Sequence, residues 1–309
     1  MTDIGATATR TGRSAFSGVV RRLPEYLMIW VPLLLCAAHL VSFSLWTIWI
    51  SFTPSTLVPV SGWVGLRNYT SVLASRNWQI AFDNLLLFGS AFVLLSLVTG
   101  LMLAILLDQR IRGENVLRSI FLYPLAVSFV VTGTVWSWLL NPGIGIEKLV
   151  HDLGWTSFHF DWLVNRDMAI WTIVIAAIWQ SSGFAMALFL AGLRSVDADL
   201  VKAAQIDGAG PIRTYWRVIL PTLWPITITV VVVQLQFAIS AFDLVRALTN
   251  GGPGIATQLP ALVVYDLMFQ RGQLGRGAAA AVLMLLILLA VLLPYAAWRY
   301  VQRRQATHA

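Results

Sequence analysis

The chain has 309 residues, of which 58% are hydrophobic and only 11% charged, and its formal net charge is +7. Soluble domains carry about twice that charged fraction, so the composition excludes an ordinary soluble protein and indicates a polytopic membrane protein. The basic residues are spread over four separate loops. Membrane topology and anionic lipid headgroups therefore explain the positive charge better than nucleic-acid binding does.

Six stretches of the chain are long and apolar enough to cross a bilayer, which takes about 20 residues. They are residues 26–50, 84–107, 117–140, 168–192, 222–242 and 277–298. We therefore predict an all-α polytopic membrane protein with six transmembrane helices. An N-terminal tail at 1–25 and a C-terminal tail at 301–309 would flank a membrane domain at 26–300.

The distribution of lysine and arginine predicts the orientation of the spans. If the N-terminus lies inside, 14 of the 21 basic residues fall in inner segments. Basic residues concentrate in short cytoplasmic loops, so we expect both termini in the cytoplasm. The outer segments 51–83 and 141–167 are then the longer connections, and both are candidates for docking an external partner.

The segment 193–221 is predicted to form two short cytoplasmic helices joined by a glycine turn. Asp197 is a suitable N-cap for the first helix, and Gly208 stands where that helix must break. Pro211 suits the first turn of the second helix. On physical grounds alone, an ordinary helix lying at the membrane interface is an alternative interpretation.

A search for catalytic motifs excludes the common ones. The two lysines, Lys148 and Lys202, are neither preceded by glycine nor followed by serine or threonine, so a Walker A site is absent from the sequence. No histidine pair has metal-ligand spacing and no acidic partner is clustered with one, so we predict no metal site. The single cysteine, Cys36, allows no intramolecular disulfide. The sequence therefore predicts a non-catalytic subunit.

An ion-coupled secondary transporter is the alternative function that the sequence leaves open. Such carriers need ionisable residues near the middle of the membrane. The predicted spans contain almost none, since Asp83 and Asp243 fall at predicted outer ends and Asp108 at an inner end. This favours a transporter whose energy comes from another subunit.

Residues 202–221, KAAQIDGAGPIRTYWRVILP, resemble the EAA loop of the permease subunits of binding-protein-dependent ABC importers. More narrowly, the chain resembles the carbohydrate-uptake permeases of the maltose, glycerol-phosphate and glucose/mannose systems. Three further segments agree with this family: residues 63–69 (WVGLRNY), 112–118 (RGENVLR) and 242–253, which ends in LTNGGP. The resemblance covers about residues 25–300 and implies the type I ABC importer permease fold with a cytoplasmic coupling helix.

The resemblance implies that the loop docks into a cleft of a cytoplasmic ATPase, whose closure moves the transmembrane helices between outward and inward openings. The residues matched to the coupling element are Lys202, Ala203, Ala204, Asp207, Gly208 and Ala209. One of them departs from the family pattern, because Lys202 stands where the family usually has glutamate. A salt bridge from that position to an arginine of the ATPase is therefore not expected.

A sugar site is predicted midway along the fourth and fifth spans, where Gln180 and Gln234 lie at the same depth. Counting from the loop motif, the face of the fifth span that carries Gln234 matches positions lining the sugar in the maltose-type permease. The predicted substrate-binding residues are Gln180, Ser181, Phe184, Gln234, Phe237 and Ala238. The opposite face, with Gln236, Ser240 and Asp243, is the alternative.

The resemblance also implies the remaining components of the transporter. We expect a homologous second permease, two copies of an ATPase and an external sugar-binding protein, all at a bacterial cytoplasmic membrane. ATP and magnesium would bind to the ATPase, and no cofactor is expected in this chain. Ala177, Ser181 and Ala238 differ in chemistry from the maltose-type permease, so we expect a glucose/mannose-like monosaccharide or a small glycoside rather than maltose.

Overall fold

A computed structural model describes residues 11–109 and 111–308. Within these ranges the chain is helical and contains no strand. The predicted N-terminal tail is helical from Thr11 onward, because the first helix spans Thr11–Ser51. Residues 1–10 of that tail and Ala309 of the C-terminal tail lie outside the described residues.

Fourteen α-helices and two π-helical turns follow one another along the described chain. They are α1 (Thr11–Ser51), α2 (Arg67–Leu73), α3 (Arg76–Asp108), α4 (Glu114–Ala126), α5 (Phe129–Leu139), α6 (Ile146–Asp152), α7 (Ala169–Leu193), α8 (Ala198–Ile206), α9 (Pro211–Thr214), π1 (Tyr215–Ile219), α10 (Leu220–Thr222), α11 (Trp224–Ile239), α12 (Phe242–Leu248), α13 (Pro260–Tyr265), π2 (Asp266–Gln270) and α14 (Leu274–His308).

Four of these helices are long and apolar enough to cross a membrane, and two bent helix pairs raise the number to six if each pair is one span. The four lie in α1, α3, α7 and α14. The two bent pairs correspond to the third and fifth predicted spans, which we had expected to be continuous. The prediction of a helical polytopic chain is confirmed, with these two spans corrected to broken ones.

The third span breaks between α4 and α5, whose axes differ by 98°. Pro124 lies in the last turn of α4 and cannot donate a backbone hydrogen bond. Ser128 is the N-cap of α5, and its hydroxyl accepts a hydrogen bond from the amide of Val131 at 3.3 Å. The break leaves the carbonyl of Val127 outside the helical pattern, and a side chain of α7 binds it, as described below.

The fifth span bends by 66° between α10 and α11. Prolines stand in the first turns of both helices, at Pro221 and Pro225. Each lacks an amide hydrogen, so the backbone hydrogen bonds on either side of Leu223 cannot continue as one straight helix. The straight part of this span ends at Ile239, a little before the predicted residue 242.

The core is built around α3 and α7, which pack along much of their lengths. Small residues allow the close approach: a side chain at Gly100 of α3 would overlap Ala185 of α7, and one at Gly183 would overlap the carbonyl oxygen of Phe121 in α4. Helix α11 packs against both of these helices, and α12 packs against α5 and α7. Close backbone approach through small residues is typical of helix association in membranes.

In contrast, α1 is largely uncovered and packs against α14. Every side chain from Met28 to Trp46 is exposed, and most of them are apolar. Asn68 at the start of α2 holds the end of α1, because its amide donates to the carbonyl oxygens of Ser51 (2.9 Å) and Thr53 (2.8 Å). Lipid or another membrane subunit is the environment that suits the bare apolar surface of α1.

Candidate functional site

Four of the six predicted substrate-binding residues, Ser181, Phe184, Gln234 and Phe237, contact one another where α7 and α11 pack together. Across this interface the side-chain amide of Gln234 donates to the hydroxyl of Ser181 at 3.4 Å. The rings of Phe184 and Phe237 meet edge to face, with their centroids 6.2 Å apart. The structure therefore brings members of the two predicted faces into direct contact.

Ser181 is the centre of a small polar cluster inside this interface. Its hydroxyl donates to the carbonyl oxygen of Ala177 at 2.8 Å, so its oxygen is left to accept from Gln234. The hydroxyl of Ser96 on α3 lies 3.5 Å from the same oxygen. The cluster thus links α3, α7 and α11 at one level of the core.

Gln180 makes a different contact from Gln234. Its amide donates to the carbonyl oxygen of Val127, at the break between α4 and α5, at 2.7 Å. The two glutamines are 2% and 0% exposed, so in this conformation neither faces an open cavity. The side-chain oxygens of both glutamines have no hydrogen-bond partner among the described residues. Buried amide oxygens of this kind are costly unless something binds them.

Aromatic and small residues surround the polar cluster. Phe237 also contacts Phe129 of α5, with the ring centroids 6.3 Å apart. Ala238 is buried, and its methyl group lies near Gly89 of α3. The alternative face of the fifth span has the opposite character, because Gln236, Ser240 and Asp243 are all exposed. Which of these faces binds substrate remains a prediction.

The predicted helix of the 193–221 segment is confirmed as α8. Asp197 is its N-cap and accepts a hydrogen bond from the amide of Asp199 at 2.8 Å. At the other end Gly208 has a φ of +78°, and the amide of Ala209 reaches back to the carbonyl oxygen of Ala204 at 2.9 Å. This is a Schellman ending, which favours glycine at the left-handed position. Pro211 begins α9 as predicted.

Large apolar side chains are exposed on this elbow of α8 and α9. Leu200 is 50% exposed, Ile206 is 86% exposed and Ile212 is 75% exposed. Lys202 pairs with Asp199 of the same helix at 3.0 Å, and both side chains are mostly exposed. Beneath the elbow lies a cavity of about 540 Å³ that reaches Asp108 at the end of α3. The elbow therefore presents an apolar surface without a partner among the described residues.

Arg194, directly after α7, ties the base of the elbow to two other helices. Its guanidinium donates to the carboxylate of Glu114, at the start of α4, at 2.6 Å. It also lies 3.9 Å from the carboxylate of Asp108. The ends of α3 and α7 and the start of α4 are thereby held together at the α8 end of the molecule.

The opposite end of α3 carries a basic cavity of about 250 Å³. Three arginines, Arg76, Arg271 and Arg276, line it together with Asp266. A neighbouring cavity of about 510 Å³ shares Arg276 and adds Arg67. Positive charge is therefore concentrated at this end of the molecule. Sequence order alone does not reveal this, because Arg67 and Arg76 are far along the chain from Arg271 and Arg276.

One cluster contradicts the sequence analysis. Glu147, His151 and His159 bring ligand atoms within 4.8 Å of one another, although we had expected no acidic partner near any histidine. The signal that was missed is the i, i+4 spacing of Glu147 and His151, which places both on one face of a helix. His159 reaches them through a loop, and no sequence spacing predicts that contact.

Comparison with known proteins identifies the family to which this chain is similar. The model of the family described as binding-protein-dependent transport system inner membrane component matches residues 96–307. A probable ABC transporter permease protein of Pyrococcus horikoshii is 38% identical over 281 residues, which cover 90% of this chain and 96% of that protein. A xylose/arabinose import permease protein of Haloferax volcanii is 37% identical over 239 residues, covering 77% and 75%.

A solved structure has the same fold. It is a bacterial ABC transporter involved in the import of the acidic polysaccharide alginate, with a TM-score of 0.77 over 94% of this chain and 99% of that chain. The sequence identity is 18%, so this similarity establishes the fold alone. The all-α permease fold predicted from the sequence is thus confirmed.

Proposed function

The chain belongs to the family of inner membrane components of binding-protein-dependent transport systems, as a permease of a carbohydrate-uptake ABC importer, and from that premise we propose that the 202–221 loop couples it to a cytoplasmic ATPase. The observation that carries the proposal is the exposed apolar elbow. In water, side chains such as Ile206 and Ile212 are stabilised when a partner covers them.

The position of the elbow suits it to transmit motion. It follows α7 directly and leads through α9, π1 and α10 into α11, so the two helices that carry the predicted sugar site are joined through it. Arg194 holds its base to α3 and α4. A push on α8 by a closing ATPase dimer would therefore act on the helices around Ser181 and Gln234 together. In this proposal ATP and magnesium bind to the ATPase, and this chain performs no catalysis.

The proposed substrate is a glucose/mannose-like monosaccharide or a small glycoside. Sugar recognition needs hydrogen-bonding groups for hydroxyls and flat apolar faces for the C–H surface of the ring. The amide oxygens of Gln180 and Gln234 have no partner among the described residues and would each accept a hydrogen bond from a hydroxyl. Phe184 and Phe237 lie about one helical turn along from the two glutamines, and their rings contact each other. The import of pentoses by one relative supports the sugar class.

The other proposed partners are a homologous second permease and an external sugar-binding protein. The uncovered apolar surface of α1 suits contact with lipid or with the second permease. With both termini in the cytoplasm, the cavity lined by Arg76, Arg271 and Arg276 faces outward, where an acidic surface of the binding protein would be attracted to it. These proposals place the chain in the cytoplasmic membrane as half of the translocation path.

The experiment that tests coupling compares two substitutions of exposed isoleucines. Ile206→Glu on the elbow should abolish copurification of the permease with its ATPase. Ile144→Glu, at a residue that is 67% exposed near the opposite end, should leave it intact. Equal copurification with both variants would contradict the proposed docking surface.

A second experiment separates this proposal from an ion-coupled carrier. In reconstituted vesicles, sugar transport by the complete complex should require ATP. The ATP must be on the side of the vesicle membrane where the ATPase lies. Transport should not occur with a proton or sodium gradient alone. Uptake driven by a gradient in the absence of ATP would favour the ion-coupled carrier instead.

A further inference from the structure

A cluster of metal-ligating side chains lies between α5 and α7, at the end of the molecule opposite α8. Glu147 and His151 lie one turn apart on α6, and His159 comes from the loop that follows. From their geometry we infer that Glu147, His151 and His159 form a binding site for a divalent zinc-type ion. This inference does not depend on the proposed function.

The distance between Glu147 and His159 matches the spacing of two ligands on a tetrahedral ion. The carboxylate oxygen Oε1 of Glu147 lies 3.3 Å from Nδ1 of His159. Ligands about 2.0–2.1 Å from a tetrahedral zinc ion are themselves about 3.3 Å apart. The third ligand atom, on His151, lies within 4.8 Å of the other two.

The tautomer of His151 is set by a backbone contact. Its Nε2 lies 2.6 Å from the carbonyl oxygen of Phe158, and because a carbonyl can only accept, the imidazole donates there. In the neutral ring, Nδ1 then carries the lone pair. A histidine that binds a metal through one nitrogen commonly donates to a backbone carbonyl through the other. Nδ1 is therefore the nitrogen of His151 that is available to a metal ion.

Glu147 is supported in the same way. Its second oxygen, Oε2, accepts a hydrogen bond from the backbone amide of Phe160 at 3.3 Å, which leaves Oε1 directed at His159. The glutamate side chain is 13% exposed, whereas that of His159 is 76% exposed. The carboxylate of Glu147 is thus mostly buried, whereas the imidazole of His159 lies on the solvent side of the site.

The ligand set selects the class of ion. Two imidazoles and one carboxylate suit zinc and related first-row transition metals, whereas calcium and magnesium take oxygen ligands. Three protein ligands leave the fourth tetrahedral position to water or to a side chain of another molecule. A bound ion would fasten α6 to residues 158–160.

The test is metal binding by the full-length purified protein, with Zn²⁺ and Co²⁺ alone as probes. One equivalent of Co²⁺ should give the intense visible absorption of tetrahedral coordination, and Zn²⁺ should displace it. His159→Ala should weaken Zn²⁺ binding by at least about tenfold. Because the His159 side chain is mostly exposed, this change should not disturb folding. His39→Ala, on α1, is the matched control and should bind as the unaltered protein does.

A second measurement does not rely on substitutions. Hydrogen exchange of the amides at residues 157–160 should slow when Zn²⁺ is added, and the change should be lost in His159→Ala. Equal Zn²⁺ affinity in His159→Ala and in His39→Ala would overturn the inference. So would a weakly absorbing, octahedral Co²⁺ spectrum, or exchange at 157–160 that zinc does not alter.

Discussion

Gln234 of α11 donates a hydrogen bond of 3.4 Å to Ser181 of α7, in the interior of the molecule and between the two helices that the 193–221 segment joins. The contact is long for a hydrogen bond, and the oxygen of the same amide has no partner among the described residues. A buried amide in this state is poorly satisfied by the protein alone. Its side-chain oxygen would therefore accept a hydrogen bond from a substrate hydroxyl.

Replacing Gln234 with alanine should impair transport and leave assembly intact. Loss of one hydrogen bond to a sugar hydroxyl corresponds to about a tenfold rise in KM, or about 1.4 kcal/mol. The matched control is Gln236→Ala, because Gln236 lies on the exposed, opposite face of the same helix. Sugar uptake by the reconstituted complex measures both variants. Impairment by Gln236→Ala together with normal kinetics in Gln234→Ala would favour the alternative face.

Substitution of Gly208 by alanine should weaken coupling between ATP hydrolysis and uptake. Gly208 has a φ of +78°, a conformation that costs an alanine about 1 kcal/mol, so the end of α8 should become misaligned. Gly210→Ala is a suitable control, because Gly210 has an ordinary φ of −66° and open space around it. The ratio of sugar taken up to ATP hydrolysed should fall in the first variant alone. An equal ratio in the two variants would contradict the role of the turn.

Alanine at Gly183 should destabilise the protein through α4. The added methyl group would overlap the carbonyl oxygen of Phe121, and backbone cannot move aside as a flexible side chain can. Overpacking of this kind costs about 1–3 kcal/mol, which should appear as a lower midpoint of thermal unfolding. Gly143→Ala, at a loop glycine whose neighbour Asn141 stays at an ordinary distance, should leave the midpoint unchanged. A Gly183→Ala protein as stable as this control would show that α4 and α7 are less closely packed than described.

The ion pair between Arg194 and Glu114 should contribute modestly to stability. Both side chains are partly exposed, at 45% and 25%, so water screens the attraction and a double-mutant cycle should give about 0.5–1 kcal/mol. The pair of Lys202 and Asp199 is more exposed and should give less. High salt should reduce the first coupling energy. A larger coupling for Lys202 and Asp199 than for Arg194 and Glu114 would be inconsistent with the role of Arg194 at the base of the elbow.

Much of the fold was predictable because each membrane-spanning helix is recognisable in the sequence as a long apolar stretch. The lengths of apolar stretches located α1, α3, α7 and α14, and Asp197, Gly208 and Pro211 located the ends of α8 and the start of α9. Each of these signals acts within one segment. The sequence also contains Pro124 and Pro221 near the two breaks. The bends of 98° and 66°, however, depend on how neighbouring helices pack.

The candidate sugar site was predictable only in part. Its residues could be matched to a family position by position, yet the sequence does not show that Gln180 binds the backbone at Val127 while Gln234 binds Ser181. Those contacts join residues 53 positions apart. The contact of His159 with Glu147 was missed for the same reason, since a loop makes it.

By itself, then, the sequence determined that this chain is a helical membrane protein with a capped elbow at α8 and α9, because hydropathy, proline and glycine act locally. Only the tertiary structure decided which polar groups are buried together, where the arginines of two distant regions converge and which ligand atoms meet at His159. Those relationships arise from the packing of helices that are distant in the chain, and no local pattern encodes them.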